Sequence, residues 1–281
     1  MTASDPKPAT GSMRDLLPRL LSGLVLAAVA IGLTWASHWS FAALVLAVSL
    51  IVSWEWSRIV RGATNDTIFV IQVVCVSAAA ALSVVGLPLL ALVMLLVGVI
   101  LAALQGFGEA GRLSAIGVLY AGLPAIALIW LRAQPALGLQ ATLYLLLCVW
   151  ASDTGAYFSG RLVGGPKLMP KVSPSKTWSG FLGAIASSAL VGLIFAAAQP
   201  LVSMQRCIVT AALIAIVSQA GDLVESSLKR RFGVKDTSSL IPGHGGFMDR
   251  VDGLIAAAIF AGILGTWMNV NAPARGLLIG L

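Results

Sequence analysis

TIFVIQVVCVSAAAALSVVGLPLLALVMLLVGVILAALQ, residues Thr67 to Gln105, is an apolar tract without a charged residue. As one helix it would be about 58 Å long at 1.5 Å per residue, roughly twice the thickness of a bilayer's hydrocarbon core. Gly86-Leu87-Pro88, near its middle, is a turn signal. The tract therefore divides into two crossings, Thr67–Val85 and Leu87–Gln105. The same reading outward adds seven more spans: Leu20–Trp35, Phe41–Trp54, Ala115–Leu131, Thr142–Ser159, Gly180–Ala198, Ile208–Leu223 and Leu254–Val270. Composition agrees, with 58% hydrophobic and 10% charged residues. A soluble domain carries about 25% charged residues, so this chain could not cover a water-facing surface. The expected fold is all-α, a polytopic membrane protein of about nine transmembrane helices.

Residues 1–18 hold three prolines and read as a flexible tail, with 19–281 as the membrane domain. Nine crossings place fifteen Lys and Arg on one side and three, Arg132, Arg206 and Arg275, on the other. The positive-inside rule then puts the N-terminus in the cytoplasm and the C-terminus outside. The net charge of +7 is thus a mark of topology, and no nucleic-acid partner is expected. Cys75, Cys148 and Cys207 lie in apolar runs without metal-ligand spacing, which argues against zinc or redox chemistry.

Two long polar segments fall on the cytoplasmic side, 160–179 and 226–252. Function is expected there and in the flanking helix ends. Acids in or beside membrane spans are costly, and mark function by default. Asp153 lies inside the sixth span, Asp222 near the end of the eighth, and Asp249 and Asp252 just before the ninth. Asp222 and Glu225 are three apart, as are Asp249 and Asp252, so each pair shares a helical face. Grouped carboxylates suit a hard cation such as Mg²⁺. Glu55 and Glu109 sit at span ends near Arg58 and Arg112, where interfacial ion pairs are the expectation.

The first polar segment ends in Val172-Ser-Pro-Ser-Lys-Thr-Trp-Ser179, ahead of a span. Hydroxyls, a lysine and a helix N-terminus in succession can cradle a phosphate, and a Ser/Thr cap is the alternative. The second carries Lys229, Arg230, Arg231 and Lys235, then Pro242-Gly-His-Gly-Gly246. Glycines there let backbone approach a ligand closely. No Walker A pattern, dinucleotide fingerprint or nucleophile elbow is present. Acids for a metal and bases for phosphates, gathered at a bilayer surface, suit phosphoryl or nucleotidyl transfer involving a lipid.

Ser226 to Asp252 resembles the signature of the phosphatidate cytidylyltransferases, or CDP-diglyceride synthetases: Ser, any residue, an aliphatic, Lys-Arg, four residues, Lys-Asp, a spacer to Pro-x-His-Gly-Gly, then Asp-Arg-x-Asp. Every fixed position is matched. The stretch 152–180 and Glu55-Trp56 are similar to further parts of that family, and the likeness is densest over about 150–253. Ser179 departs from it, standing where the family commonly has Glu. The resemblance implies transfer of CMP from CTP to phosphatidic acid, giving CDP-diacylglycerol and pyrophosphate. It implies Asp222 and Asp249 as central catalytic and metal-binding acids, Asp153 and Asp252 as further ligands of Mg²⁺, and Lys235 as a catalytic residue that holds substrate phosphate. Ser173, Lys176, Thr177, Lys229, Arg230 and Arg250 would hold phosphates, with His244, Gly245 and Gly246 shaping the nucleotide loop. A second, monovalent cation, a homodimer and a bacterial plasma membrane are further implications. Two alternatives stand beside it: a CTP-dependent polyprenol kinase, against which the Pro-Gly-His-Gly-Gly run speaks, and a transporter with intramembrane acids, against which the basic loops speak.

Overall fold

A computed structural model describes residues 13–106, 108–241 and 245–280, with side chains described from 23 onward apart from Leu24. Nine long helices appear among the described residues: α1 Met13–Ala36, α2 His38–Arg61, α3 Thr67–Val84, α4 Pro88–Gln105, α5 Gly108–Ala133, α6 Gly138–Leu162, α7 Trp178–Ala198, α8 Met204–Arg231 and α9 Met248–Met268. Each expected span falls on one of them. Seven, α2 to α5 and α7 to α9, are long and apolar enough to cross a membrane, so the chain is a multi-pass membrane protein. α6 is not among the seven, and polar residues Ser152, Asp153, Thr154, Ser159 and Arg161 crowd its second half.

Local chemistry sets the helix ends. Gly86 takes φ +82° and Pro88 opens α4, as the turn signal requires. Asp66 caps α3 through the Phe69 amide at 2.8 Å and receives two bonds from Arg61 at 2.8 and 3.0 Å. At the opposite end of the molecule, Arg132 donates to the Thr34 carbonyl at the end of α1, and Arg206 to the carbonyls of Gly276 and Leu277. Two of the three basic residues assigned to the far side thus serve as C-terminal caps.

Small residues bring the functional helices close. Gly155 of α6 faces Ser187 of α7, and Gly183 of α7 faces Ser159 of α6; a Cβ on either glycine would collide with the facing serine. Gly253 of α9 meets Ser218 of α8 in the same way. Without water to drive association, such close approach is how membrane helices gain packing energy. Large apolar side chains on α4 and α7, including Leu89, Leu104, Leu182 and Ile194, point outward, where lipid would solvate them.

Four details correct the sequence reading. The fold is not wholly helical: the first polar segment forms an antiparallel hairpin, β1 Lys167–Met169 with β2 Ser173–Thr177, paired Lys167 to Thr177 and Met169 to Ser173. α1 begins at Met13, inside the stretch read as a tail, while residues 1–12 lie outside the described residues. The second polar segment is not loop throughout, because α8 continues to Arg231 and α9 starts at Met248. A short helix, α10 Pro273–Leu278, follows α9 and buries Leu277 and Leu278 against the core.

Candidate active site

The α8 C-terminal half, the α9 N-terminus, the α6 C-terminal half and the hairpin converge at one end of the bundle. Carboxylate oxygens of Asp222, Glu225 and Asp252 lie within 4.8 Å of one another. Asp222 and Glu225 share a face of α8, as the three-residue spacing requires. Asp252 reaches them from the first turns of α9, where its Oδ1 also accepts the Gly253 amide at 2.7 Å. Glu225 is fully buried, and its Oε2 takes Lys229 Nζ at 2.6 Å. Three convergent oxygens, one from each acid, fit a hard divalent cation.

Asp249, read as a central metal ligand, lies beside this group and shares Lys229 with Glu225. Its Oδ1 takes Lys229 Nζ at 2.7 Å. Its Oδ2 takes the Thr237 amide at 3.0 Å, the Thr237 hydroxyl at 3.1 Å and the Gly246 amide at 2.9 Å. Lys229 therefore bridges Glu225 and Asp249, and Asp249 pins the glycine-rich loop to α9. Gly246 must be glycine, because a Cβ there would run into Thr237.

The expected pairing of Glu55 with Arg58 does not form. Arg58 lies over the Trp54 ring, 5.5 Å from its centroid, and Glu55 is fully buried beneath the loop. It accepts from Ser238 Oγ, from the Phe247 amide at 2.8 Å and from the Met248 amide at 2.6 Å. α9 has no capping side chain of its own at Phe247, so Glu55 caps it from α2. The amides of Gly246, Phe247 and Met248 are thus all taken by protein carboxylates. None of these three amides is therefore left open to an anion. Glu55→Gln places an amide group against one of these donors; we expect a loss of about 1–3 kcal/mol in stability and a roughly tenfold fall in turnover, measured by thermal unfolding in detergent and by initial rates. Wild-type values for both would remove Glu55 from the loop's support. Glu109 likewise pairs with Arg231, not with Arg112.

The basic residues divide. Lys176, on β2, reaches Asp222 at 2.7 Å and the Gln219 side chain at 3.2 Å. Gln219 in turn donates to Asp153 at 3.4 Å, which ties that acid to the group at one remove. Arg230 donates to the Val172 carbonyl at 3.3 Å and so holds the hairpin turn to α8. Ser226 donates to Asp222 at 3.3 Å. Thr177 spends its hydroxyl on capping α7 through the Gly180 amide at 3.1 Å, the alternative the sequence allowed. Ser179, the departure from the family pattern, donates to the Gly164 carbonyl and bonds Thr177. Ser173 lies in β2 opposite Met169. Lys235 is exposed on the loop, outside the acid group. Gly245 takes φ +80°, and His244 lies outside the described residues.

A cavity of about 610 Å³ opens at this end of the molecule, with Asp153 in its wall. Its body is apolar, walled by α1, α2, α5, α6 and α9, and Tyr120, Asp153, Thr154 and Arg250 lie toward the acid end. Along α2 it runs from Val52 to Phe41, about 16 Å at helical rise, or roughly half the hydrocarbon core.

The chain matches the profile of the cytidylyltransferase family over residues 17–267. It is similar to the phosphatidate cytidylyltransferase of Brucella suis, 37% identical over 264 residues covering 90% of this chain and 94% of the relative. The phosphatidate cytidylyltransferase of Pseudomonas aeruginosa is 35% identical over 263 residues, 89% of this chain and 97% of that one. That of Haemophilus influenzae is 47% identical over 133 residues, 45% and 46% of the two chains.

Proposed function

The chain belongs to the cytidylyltransferase family, and from that premise we propose that it is a phosphatidate cytidylyltransferase acting at the cytoplasmic face of a bacterial plasma membrane. The observation that carries this reading is an apolar cavity whose polar end, lined by Asp153 and Arg250, lies at the same end of the bundle as three convergent carboxylates. A soluble nucleotide and a bilayer lipid can meet there.

The phosphate monoester of phosphatidic acid is largely ionised at pH 7, its second pKa being about 6. Its oxygen attacks the α-phosphorus of CTP. A P–O bond forms to the lipid phosphate, the bond between the α-phosphorus and the bridging oxygen breaks, and pyrophosphate leaves with that electron pair. No deprotonated side chain is required, which fits a site without a Ser, Cys or His triad. The chain's task is to bring two polyanions together. Asp222, Glu225 and Asp252 would hold Mg²⁺, which supplies charge neutralisation on the transferring phosphoryl group. Asp153 stands behind them through Gln219. Lys176 is placed to turn from Asp222 to a triphosphate, and Arg250 stands at the cavity's polar end to meet a lipid phosphate. Asp249 and Lys229 hold the loop in register with this group. Acyl chain would lie between α1, α2, α5, α6 and α9. A homodimer and a second, monovalent cation remain part of this reading on family grounds.

The test uses purified protein in detergent with phosphatidic acid, Mg²⁺ and CTP labelled at the α-phosphate. Label in extractable lipid with matching pyrophosphate supports nucleotidyl transfer. Label that enters lipid only from the γ-position, with an alcohol acceptor, would indicate the polyprenol kinase, and no product would overturn both.

Nine crossings with a cytoplasmic N-terminus also belong to this proposal. Lys171 and Arg275 are exposed, and the native cysteines are buried, so background labelling is low. In intact cells Lys171→Cys should resist an impermeant maleimide and Arg275→Cys should react with it. The reverse pattern would invert the topology.

A further inference from the structure

Tyr120 stands on α5, a helix to which sequence reading gave no functional residue. Its ring is fixed from one side by Trp56, 4.8 Å away between centroids. Trp56 is itself held by a bond from its indole nitrogen to the Leu113 carbonyl at 2.9 Å, and seats against Gly117, where a Cβ would collide with it. The Tyr120 hydroxyl is buried and has no hydrogen-bond partner among the described residues. Buried phenol hydroxyls ordinarily find one. Gln72, Ser152, Ser218 and Glu225 also carry such atoms, but of this set Tyr120 is the one that lines the cavity.

The surroundings say what kind of partner is missing. Tyr120 lines the cavity together with Asp153, Arg250 and Val251, the last two next in sequence to Asp249 and Asp252, so the phenol stands at the acid end. A rigid neutral donor there lacks an acceptor oxygen, and the cavity it lines also holds Arg250, a cation that would accompany an anionic one.

We propose that Tyr120 is a substrate-binding residue whose hydroxyl donates to a headgroup oxygen of the lipid, either of the phosphate or of a glycerol ester. This rests on the lipid reading above and deepens it by naming a contact on the lipid side of the reaction.

Tyr120→Phe removes one oxygen and keeps the ring on Trp56. If the hydroxyl were only structural, its removal would relieve an unpaired polar group and leave kinetics alone, with an unchanged or raised thermal midpoint. The proposal expects instead that KM for phosphatidic acid rises about tenfold, the effect of losing a hydrogen bond to a charged or carbonyl acceptor, while KM for CTP stays within twofold. An unchanged KM for the lipid overturns it. So does an equal rise in both KM values, which would place Tyr120 in the support of the acids. Ether-linked phosphatidic acid separates the two sources: a full effect of the substitution on the ether lipid supports the phosphate, and an effect seen only with the ester lipid supports the carbonyl. Failure of the wild-type protein to form labelled lipid would instead strike at the function itself, and is read in the same assay before the variant.

Discussion

Asp222→Asn is expected to lower the rate of label transfer by about a thousandfold, roughly 4 kcal/mol of transition-state stabilisation. Asp222 converges with Glu225 and Asp252 and also meets the hairpin through Lys176. Its replacement by a neutral amide removes one negative ligand from the cation site and the resting partner of Lys176 together. The Asp222 side chain is 34% exposed, so the ion pair itself contributes little to folding. The thermal midpoint in detergent should therefore stay within a few degrees of wild type while activity collapses. A rise in the Mg²⁺ concentration needed for half-maximal rate should accompany the residual activity. A variant retaining a tenth of the wild-type rate at the same Mg²⁺ would take Asp222 out of the cation site.

Asp249→Asn should fail in a different way. The carboxylate is 8% exposed and serves two masters, Lys229 on one oxygen and the Thr237 and Gly246 donors on the other. An amide has one oxygen to offer. If it faces the loop, its NH₂ meets the Lys229 ammonium; if it faces Lys229, the NH₂ meets two backbone N–H groups. Lys229 and Glu225 are then left as a buried pair without their third member. Breaking such a contact costs about 3–5 kcal/mol, so both the thermal midpoint and the rate should fall, the rate by at least about a hundredfold. Half the wild-type rate, or an unchanged midpoint, would remove Asp249 from the loop's anchorage. The contrast between the two variants separates an acid that holds the reacting groups from one that holds the loop around them.

The spans were legible because a bilayer imposes its thickness on a helix: 67–105 could not be one crossing, and Gly86 with Pro88 marks where it turns. Two of the acids that converge stand out in the sequence for the same reason, since Asp222 and Asp252 are acids where apolar sequence makes acids expensive. The three-residue spacing by itself also puts Asp222 and Glu225 on one helical face.

The division of labour among the acids was not legible. Asp249 and Asp252 have the same spacing as Asp222 and Glu225, and periodicity ranks neither pair. Which acid joins the cluster and which takes Lys229 depends on how α8 and α9 pack across Gly253 and Ser218, a contact between distant stretches of chain. Glu55 lies 192 residues before the Phe247 amide it caps, so its local neighbours, Arg58 above all, pointed to an ion pair it does not make. Tyr120 carries no sequence signal, because an aromatic in an apolar span looks like any other until the cavity beside it is known. Composition and the bilayer thus determined the helices, their approximate limits and the end of the molecule where the polar residues gather. The tertiary structure alone decided which of those side chains converge, because helix–helix contacts are fixed by steric fit between residues that the sequence keeps far apart.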